Sequence, residues 1–572
     1  MGQKRKRKSA DSGRFVFLWC VIVIALLIIS GRLVQLQVVD AAVYAQLATE
    51  QRTRDIPLPA QRGAIFDREG EPLAVSVQAF SVFADPRAVE DASSTAQAIA
   101  RVLGGDPAVY AERMQREGGF VYIARKVDVE RAEALRELEL AGVGFHRDSR
   151  RVYPHAEVAC QVLGFVGVDD VGLAGLEKYY DDLLAGTPGR LIAERDPGGR
   201  PIPGAVISAE EPVDGEDITL TIDRDIQHQA QLALAQAVDR WDAKGGNVIV
   251  MDPDTGAILA MASYPFFDPN LFASADQAAF RNRAITDAYE PGSTLKSLTT
   301  AAVLEAGIFD PESMFDLPPT IQVGGRTIGE ARPRGFMRAS LTEIHARSSN
   351  VGTVMMGTEL GSDALYESMQ SFGLTQSTGI DFSGEAVGFL PRVSDWSAST
   401  LGTVSFGQGI SVTPLQIARA FSAIASDGRL PNPHFRVDAK SASATRQVAI
   451  SEQTAVTMRE VMASVVTSGT GLSAAVQGYE VAGKTGTAQK VKVDGRGYEE
   501  GKYIASFGGF LPVDDPRLVI LVNIDEPSGA IFGGTVAAPT FAQIASFAVS
   551  HLRIPPSATR SDDGTATIPA DR

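Results

Sequence analysis

The sequence predicts an α+β protein in which two or more folded units follow a single membrane-spanning helix. The chain has 572 residues, too many for one ordinary core, so at least two units are expected. Hydrophobic residues make up 44% and charged residues 21%, which is typical of a globular protein. An apolar segment near the N-terminus is almost long enough by itself to cross a bilayer.

The N-terminal segment combines a basic tail with that apolar run. Residues 1–14 carry a net charge of +5, whereas the whole chain carries −16, which leaves −21 for the rest. Phe15 to Ser30 contains no charge, and the apolar pattern resumes after Arg32, so we predict one spanning helix over 15–36. The basic tail should stay in the cytoplasm, with the rest of the chain outside the cytoplasmic membrane. The alternative is a cleaved signal peptide, for which the run is long.

Charge and cysteine content argue against several classes of function. An exported part this acidic is a poor candidate for nucleic-acid binding, which depends on a basic surface. Cys20 falls in the apolar run and Cys160 stands alone, so we expect no intramolecular disulfide and no thiolate metal site. The six histidines form no H-x-x-x-H pair, which argues against a zinc hydrolase. No cofactor or metal is therefore expected.

The exported part divides in two. Residues 37–230 mix short strand-like runs with helical patterns at Thr95–Leu103 and Val129–Leu140, which indicates an elongated α+β pedestal. A helical pattern between Ile222 and Trp241 marks the boundary with a second unit, residues 231–553.

The second unit opens with a predicted β-hairpin. Two apolar runs, Asn247–Asp252 and Ile258–Ala262, flank a D-x-x-T-G turn and should be buried on one side. Val519–Ile524 predicts another strand, and Phe541–Leu552 predicts the last helix. Residues 554–572 are rich in Pro, Ser, Thr, Asp and Gly, and we expect them to be a disordered tail.

The strongest chemical signal is a serine and a lysine three residues apart. A Pro-Gly turn delivers Ser293 to the start of an apolar helical run that contains Lys296. This spacing places both side chains on one helix face, so that the amine can take the proton of the hydroxyl. Surface helices also contain such pairs for no chemical reason, but this is the only Ser-x-x-Lys in the chain.

Two further elements follow in a fixed order. Ser348-Ser349-Asn350 begins 55 residues after Ser293, and Lys484-Thr485-Gly486-Thr487 begins 136 residues after Ser348. Each alone fits a helix cap or a polar strand end. The ordered set resembles the three active-site boxes of penicillin-binding proteins and serine β-lactamases.

Beyond the boxes, the chain resembles class B penicillin-binding proteins over nearly its whole exported length. The layout and the Lys484–Lys490 context look most like the division-specific (FtsI-type) member, and elongation-specific relatives share the same boxes. The resemblance implies a penicillin-binding/serine β-lactamase-like transpeptidase domain, an antiparallel sheet with helices, behind the pedestal. Four further segments carry it: Arg62-Gly63-x-Ile65-x-Asp67-Arg68, Gly172-Leu173-x-Gly175-Leu176-Glu177, Thr221-Ile222-Asp223 and Ser405-Phe406-Gly407-Gln408-Gly409.

The resemblance implies a peptidoglycan D,D-transpeptidase that works through a serine acyl-enzyme and is inhibited by β-lactams. Ser293 would attack a D-Ala-D-Ala terminus, with Lys296 as its base. The pKa of Lys296 would have to be lowered by burial and by a second cation, for which Lys484 is the candidate. Ser348 would relay a proton to the leaving amine, and Asn350 would hold the peptide amide.

The third box would bind the substrate strand. Gly486 would let that strand lie close, and Thr485 and Thr487 would meet its terminal carboxylate. The backbone N–H groups of Ser293 and Thr487 would hold the oxyanion, each contributing roughly 3 kcal/mol. The implied partners are D-Ala-D-Ala stem peptides, a SEDS-family glycosyltransferase and other proteins of septal wall synthesis.

Other functions and roles remain open from the sequence. A β-lactamase or β-lactam sensor would share the boxes without needing the pedestal. A non-enzymatic division scaffold would not need an intact Ser293, Lys296 and Lys484. His345, near the second box, is interpreted as structural. Arg62, Asp67 and Arg68 are expected to form a buried ion-pair turn in the pedestal, with contact to a partner protein as the alternative.

Overall fold

A computed structural model describes residues 11–44, 53–195, 201–492, 495, 497–557, 559–560 and 566–567. Residues 1–10 of the predicted basic tail, and most of the predicted disordered tail, lie outside these ranges. The chain forms two compact units, one of residues 1–61 with 186–215 and one of residues 62–185 with 216–572.

The strands and helices are numbered along the chain. The strands are β1 Thr53–Leu58, β2 Ile65–Phe66, β3 Pro72–Ala84, β4 Val121–Asp128, β5 Val143–Val152, β6 Gly189–Arg195, β7 Pro201–Glu210, β8 Ile218–Thr219, β9 Gly245–Met251, β10 Ile258–Tyr264, β11 Met314–Leu317, β12 Thr320–Val323, β13 Arg326–Gly329, β14 Met337–Ser340, β15 Ala482–Val491, β16 Tyr498–Leu511, β17 Leu518–Asp525, β18 Thr559–Arg560 and β19 Ala566–Thr567. The α-helices are α1 Asp11–Val34, α2 Ala92–Leu103, α3 Pro107–Met114, α4 Val129–Arg136, α5 Cys160–Leu163, α6 Gly175–Tyr179, α7 Asp181–Leu184, α8 Arg224–Arg240, α9 Arg283–Thr286, α10 Lys296–Glu305, α11 Leu341–Ala346, α12 Asn350–Leu360, α13 Ser362–Ser371, α14 Thr400–Ser405, α15 Pro414–Ala425, α16 Glu452–Thr467, α17 Gly533–Val536 and α18 Ala538–His551. Short 3₁₀ turns are Pro269–Ser274, Gln277–Phe280, Gly292–Leu295, Val393–Asp395, Lys440–Ser443 and Leu472–Ala474.

The first unit contains the apolar helix and a small sheet. Helix α1 continues as a π-helical turn, Gln35–Val39, and the stretch Gly13–Val39 contains an 18-residue window with a mean hydropathy of 2.6. By length and composition this helix is able to cross a membrane, as the sequence predicts. Strands β1, β6 and β7 form a separate three-stranded antiparallel sheet in the same unit.

The N-terminal part of the second unit is α+β, as predicted. Strand β3 pairs with β2, β4 and β5, and β2 pairs in parallel with β8. Helices α2, α3 and α4 share a core with this sheet that includes Val82, Ile99, Ile123 and Leu135. Helix α2 ends at the predicted residue but begins three residues earlier, and α4 ends four residues earlier than the pattern indicates.

The region that contains the three boxes is built on a five-stranded antiparallel sheet with the order β10-β9-β17-β16-β15. The predicted hairpin is present as β9 and β10. It is buried on both sides, not one, because Val248 and Val250 face the core of α8 and α18 while Ile249 and Met251 face the core of the other helices. A helix layer on each face therefore explains the continuous apolar runs.

The predicted domain boundary at residue 230 falls inside α8. The buried face of this helix, which includes Ile226 and Leu234, packs in the same core as β9 and α18. At the other end, Ile554 accepts a hydrogen bond from Tyr479 and Ser557 donates one to Gly478, so the first residues of the predicted tail are held by the fold.

A buried ion cluster joins two of the four segments that carry the family resemblance, those of Arg62 and Glu177. Glu177 is fully buried and accepts hydrogen bonds from Nε of Arg62 at 2.7 Å and Nε of Arg151 at 2.6 Å. Arg62 also pairs with Asp181 at 2.7 Å, and the Tyr153 hydroxyl donates to Glu177 at 3.2 Å. The partner of Arg62 is therefore a distant glutamate.

The expected ion-pair turn of Arg62, Asp67 and Arg68 is wrong. Asp67 is buried, but its Oδ1 accepts hydrogen bonds from the backbone N–H groups of Glu69 and Glu71 at 2.9 and 2.8 Å. Arg68 has an exposed side chain, and its Nε lies 3.6 Å from the carboxylate of Glu69. The second oxygen of Asp67 accepts from the N–H of Arg224 at 3.3 Å, so this carboxylate holds backbone, while Arg62 is paired elsewhere.

Candidate active site

Ser293 lies in a tight turn that leads into α10. The 3₁₀ turn Gly292–Leu295 carries Ser293, and α10 begins at Lys296. In a 3₁₀ turn, side chains at i and i+3 lie one above the other, so Ser293 and Lys296 share one face. Ser293 is half-exposed, whereas both of its neighbours in the chain are buried. The hydroxyl can therefore meet a substrate while the amine stays protected from water.

The Ser405–Gly409 segment braces this turn. The N–H of Gly292 donates to the carbonyl oxygen of Gly407 at 3.0 Å. Gly407 has φ +87°, and a Cβ there would lie 2.1 Å from the carbonyl oxygen of Gly292. Glu290 accepts hydrogen bonds from the N–H of Gly409 at 2.9 Å and from the hydroxyl of Tyr498 at 3.0 Å. Glycine at 407 is thus needed for the close approach of two backbones that fixes the serine.

Lys296 is buried and contacts the second box. Only 1% of the residue is exposed. Its Nζ donates to the Ser348 carbonyl oxygen at 2.7 Å and to Oδ1 of Asn350 at 2.6 Å, and it lies 3.4 Å from Oγ of Ser348. The Nδ2 of Asn350 donates to the Gly329 carbonyl oxygen at 2.9 Å, which fixes the amide orientation.

The titration of the two box lysines is governed by burial. Burial lowers the pKa of Lys296 to about 7, against the opposing effect of the Glu330 carboxylate. The pKa of Lys484 lies well below its usual value, because of burial and the nearby Lys296. Repulsion between two neighbouring cations lowers the pKa of both, so the expected effect of Lys484 on Lys296 stays a prediction. At neutral pH a large fraction of Lys296 is an unprotonated amine able to act as a base.

Ser348 and Ser349 have different tasks. Ser349 is the N-cap of α12, and its Oγ accepts from the N–H of Gly352 at 3.0 Å. Ser348 has φ +57°, a left-handed conformation that costs about 1–2 kcal/mol for a residue with a Cβ. This conformation turns both its carbonyl and its hydroxyl towards Lys296. Strained backbone of this kind is concentrated at functional sites.

The third box lies on β15, at the edge of the five-stranded sheet. Lys484 is fully buried at its start. The hydroxyls of Thr485 and Thr470 are 2.8 Å apart, and Oγ1 of Thr487 accepts from the N–H of Gly533 at 3.4 Å. An edge strand has free backbone groups with which an extended peptide is able to pair.

The glycine of the third box has a structural reason that the sequence did not reveal. A Cβ on Gly486 would lie 2.1 Å from Oγ of Ser506 and 2.9 Å from Cγ2 of Thr294. The missing side chain therefore lets β15 approach the serine turn. This packing requirement exists before any substrate binds.

His345 is buried beside the lysines, with its Nδ1 3.2 Å from the Thr300 hydroxyl. Its pKa lies well below the ordinary value, because of burial first and of Lys484 and Lys296 next. A buried neutral imidazole fits the structural role expected from the sequence.

Glu330 is the site residue that sequence reasoning missed. It accepts hydrogen bonds from Oγ of Ser349 at 2.5 Å, from the N–H of Asn350 at 2.6 Å and from Arg334 at 2.7 Å. Burial alone would raise the pKa of Glu330, but these donors and Lys296 hold it below the ordinary value. It lies 19 residues before Ser349 and outside the three boxes, where no local pattern marks it.

Other groups do not join this site. A cavity of about 480 Å³ lies at the far end of β15, where Glu290 and Lys490 are among its lining residues and no box residue is. Burial raises the pKa of the Cys160 thiol to about 12, so it stays protonated and unreactive. Within the described ranges, no three His, Cys, Asp or Glu side chains are placed to hold a metal ion.

Family models match two segments of the chain. Residues 246–546 match the penicillin binding protein transpeptidase domain, and residues 57–220 match the penicillin-binding protein dimerisation domain. The first segment contains all three boxes and the five-stranded sheet.

Relatives cover nearly the whole chain. It is 37% identical to the stage V sporulation protein D of Bacillus subtilis over 560 residues, which is 95% of this chain and 86% of that protein. It is 34% identical to the peptidoglycan D,D-transpeptidase FtsI of Escherichia coli over 571 residues, 98% of this chain and 96% of that protein. The crystal structure of penicillin binding protein 3 from Mycobacterium tuberculosis, complexed with aztreonam, has a TM-score of 0.68 and 30% identity, covering 88% of this chain and 98% of that one.

Proposed function

Because this chain belongs to the class B penicillin-binding proteins, which are peptidoglycan D,D-transpeptidases, we propose that it forms septal peptide cross-links through an acyl ester on Ser293. The observation that carries the chemistry is Lys296. It is a buried amine with a pKa of about 7, it follows Ser293 by one 3₁₀ turn, and it contacts Ser348 and Asn350.

In the acylation step, Oγ of Ser293 bonds to the penultimate D-alanine carbonyl carbon of a D-Ala-D-Ala stem peptide. Lys296 takes the hydroxyl proton. The peptide C–N bond then breaks, and the terminal D-alanine leaves as an amine that receives a proton through the Ser348 hydroxyl. The amine of a second stem peptide then attacks the ester carbonyl carbon, the C–O bond to Ser293 breaks, and the proton that the amine loses returns to Oγ of Ser293.

Substrate binding would use the third box. The donor peptide would pair with the free edge of β15. Its terminal carboxylate would lie at Thr485 and Thr487, near Lys484. The backbone N–H groups of Ser293 and Thr487 would hold the oxyanion, at roughly 3 kcal/mol each. In the second box, Asn350 already accepts a hydrogen bond from Lys296. We therefore assign it two tasks: it orients the base and it contacts the peptide amide.

The apolar helix α1 supports a proposal for the location of the enzyme. We propose that α1 crosses the cytoplasmic membrane once, with the basic tail inside and the boxes outside. A SEDS-family glycosyltransferase and other division proteins would meet the chain through α1 and the pedestal. The aztreonam complex of the similar Mycobacterium tuberculosis protein supports β-lactams as inhibitors.

Acylation by penicillin tests the chemistry. Intact-protein mass spectrometry with peptide mapping should place one penicilloyl group on Ser293. Ser293→Ala should abolish it, and Lys296→Ala should slow it by at least about 100-fold. An adduct on another residue, or undiminished acylation of the lysine variant, would refute the mechanism. Persistence of the ester over hours excludes a β-lactamase.

Cell imaging tests the septal role. A fluorescent fusion should gather at division sites, and depletion should give long undivided cells. Lateral-wall fluorescence with rounded cells would instead assign the elongation role, and an inactive Ser293→Ala chain that supports division would favour a scaffold.

A further inference from the structure

The segment that follows β13 holds the second box from behind. Glu330 is the first residue after β13, and its side chain is 8% exposed. Its two carboxylate oxygens accept hydrogen bonds from the Ser349 hydroxyl, the Asn350 N–H and Arg334. The residue before it, Gly329, accepts the amide hydrogen of Asn350 through its carbonyl oxygen.

These contacts surround the strained residue of the box. Ser348 has φ +57°, a conformation that persists only where neighbouring contacts enforce it. Glu330 holds the two residues that follow Ser348, one by its side chain and the other by its backbone. With Ser349 and Asn350 fixed, the Ser348 carbonyl and the Asn350 Oδ1 are both directed at Lys296.

We propose that Glu330 is a positioning residue for acylation. Glu330 fixes the second box against Lys296 and supplies the negative charge that acts on the Lys296 amine. The inference rests on the proposed acylation of Ser293. It adds to that function a residue outside the three boxes that controls the geometry and the basicity of the lysine.

Three groups act electrostatically on Lys296 or are acted on by it. His345 has a pKa well below its ordinary value and is therefore largely neutral near pH 7, and the pKa of Lys484 is also well below its ordinary value, because of burial and of Lys296. Glu330 carries a negative charge there and raises the pKa of Lys296, against the larger effect of burial. Removing the charge of Glu330 should therefore lower the pKa of Lys296 and move the acid limb of acylation to lower pH.

Two variants of Glu330 separate charge from reach. Glu330→Gln keeps the length of the side chain and loses its charge, whereas Glu330→Asp keeps the charge and shortens the reach. Glu343→Gln is the matched control, because Glu343 is an exposed carboxylate that accepts the N–H of Ser340 at the start of the adjacent helix α11. A glutamine serves that cap equally well.

The experiment measures the second-order acylation rate of the full-length protein by a fluorescent penicillin between pH 5 and 9. Thermal unfolding is recorded for each variant. Above the acid limb, both Glu330 variants should be about 10- to 100-fold slower than the unchanged protein, the scale for loss of a group that orients catalytic residues. Only Glu330→Gln should also move the acid limb to lower pH. Glu343→Gln should leave rate and limb unchanged.

Three outcomes would overturn the inference. The first is acylation of Glu330→Gln at the normal rate with an unmoved acid limb. The second is a loss of acylation rate in Glu330→Gln that equals its loss of folded protein. The third is a slower rate and a moved acid limb in Glu343→Gln as well. In each case the unchanged protein still acylates Ser293. If the unchanged protein is not acylated there, the proposed function itself fails, and the two failures are thus distinguished.

Discussion

The N-terminal region and the active-site region both bury charged side chains, but they compensate for burial differently. In the N-terminal region, Arg62 and Arg151 share the carboxylate of Glu177 at 2.7 and 2.6 Å. In the active site, Lys296 and Lys484 are almost completely buried. They lie close enough together that Lys296 lowers the pKa of Lys484. Lys296 donates to neutral oxygens of Ser348 and Asn350, with Glu330 as the carboxylate that affects its pKa.

This difference indicates a structural role for the first cluster and a chemical role for the two lysines. A buried charge that meets an opposite charge keeps its proton state and holds chain segments together. Burial beside another lysine lowers the pKa of a lysine, at a cost in stability, and brings that of Lys296 to about 7, where its amine is able to act as a base. The first cluster should therefore respond to substitution by unfolding, and the second by loss of chemistry.

The largest effect on stability is expected from Glu177→Leu. This change leaves Arg62 and Arg151 buried without their shared carboxylate, so the free energy of unfolding should fall by about 3–5 kcal/mol. Denaturant unfolding of the purified protein measures it. At a temperature where the variant is folded, acylation of Ser293 should proceed normally, because Glu177 contacts no box residue among its described hydrogen bonds.

An exposed ion pair supplies the control for that change. Asp169 pairs with Arg125, but its side chain is 79% exposed. Asp169→Leu should cost less than about 1 kcal/mol, as for other surface pairs. Equal losses in the Glu177 and Asp169 variants would mean that burial is not what makes the first cluster important.

A smaller change, of opposite sign, is expected from Lys484→Met. Among the residues that the structure describes, the lysine makes one long hydrogen bond, 3.5 Å to the Thr485 carbonyl, and it lies beside Lys296. An apolar side chain of similar length removes the burial penalty, so stability at neutral pH should stay equal or rise by about 1–2 kcal/mol. Penicillin acylation should nevertheless fall by about 100-fold or more, because the third box, at which we propose that the substrate carboxylate binds, loses its lysine.

The pH dependence of this gain has a definite sign. The pKa of Lys484 is lower in the folded than in the unfolded chain, so the unfolded chain binds more protons between the two values. The stability of the unchanged protein therefore rises with pH across that window. The advantage of Lys484→Met should be largest below it and shrink towards pH 10.5. A destabilised variant at neutral pH would show that Lys484 is paired and that the comparison fails.

Sequence patterns predicted what is local and missed what depends on tertiary contact. The β9–β10 hairpin and the Ser293–Lys296 spacing follow from neighbouring residues, and the structure has both. The partner of Arg62 is 115 residues away, and no periodicity connects the two positions. Glu330 lies in a stretch without a motif, because its role arises only when β13 lies beside α12.

Gly486 shows a subtler limit. The sequence indicated correctly that a side chain would be unwelcome there, but attributed this to the substrate. The close neighbours are Ser506 and Thr294 of the chain itself, which come from a paired strand and from the serine turn. A pattern can mark a residue without revealing what it contacts.

The smallest effect tests strain inside the second box, through the pair Ser348→Gly and Ser348→Ala. Both variants lose Oγ, so both should slow acylation alike if the hydroxyl relays the proton. They differ in the backbone, because glycine adopts φ +57° freely and alanine does not. Relief of about 1–2 kcal/mol, less about 0.4–1 kcal/mol for the more flexible unfolded chain, should leave the glycine variant roughly 0.5–1 kcal/mol more stable than the alanine variant. Denaturant unfolding resolves this difference, and an alanine variant of equal or greater stability would mean that Ser348 is held without strain and that the active-site region gives up stability through its buried lysines alone.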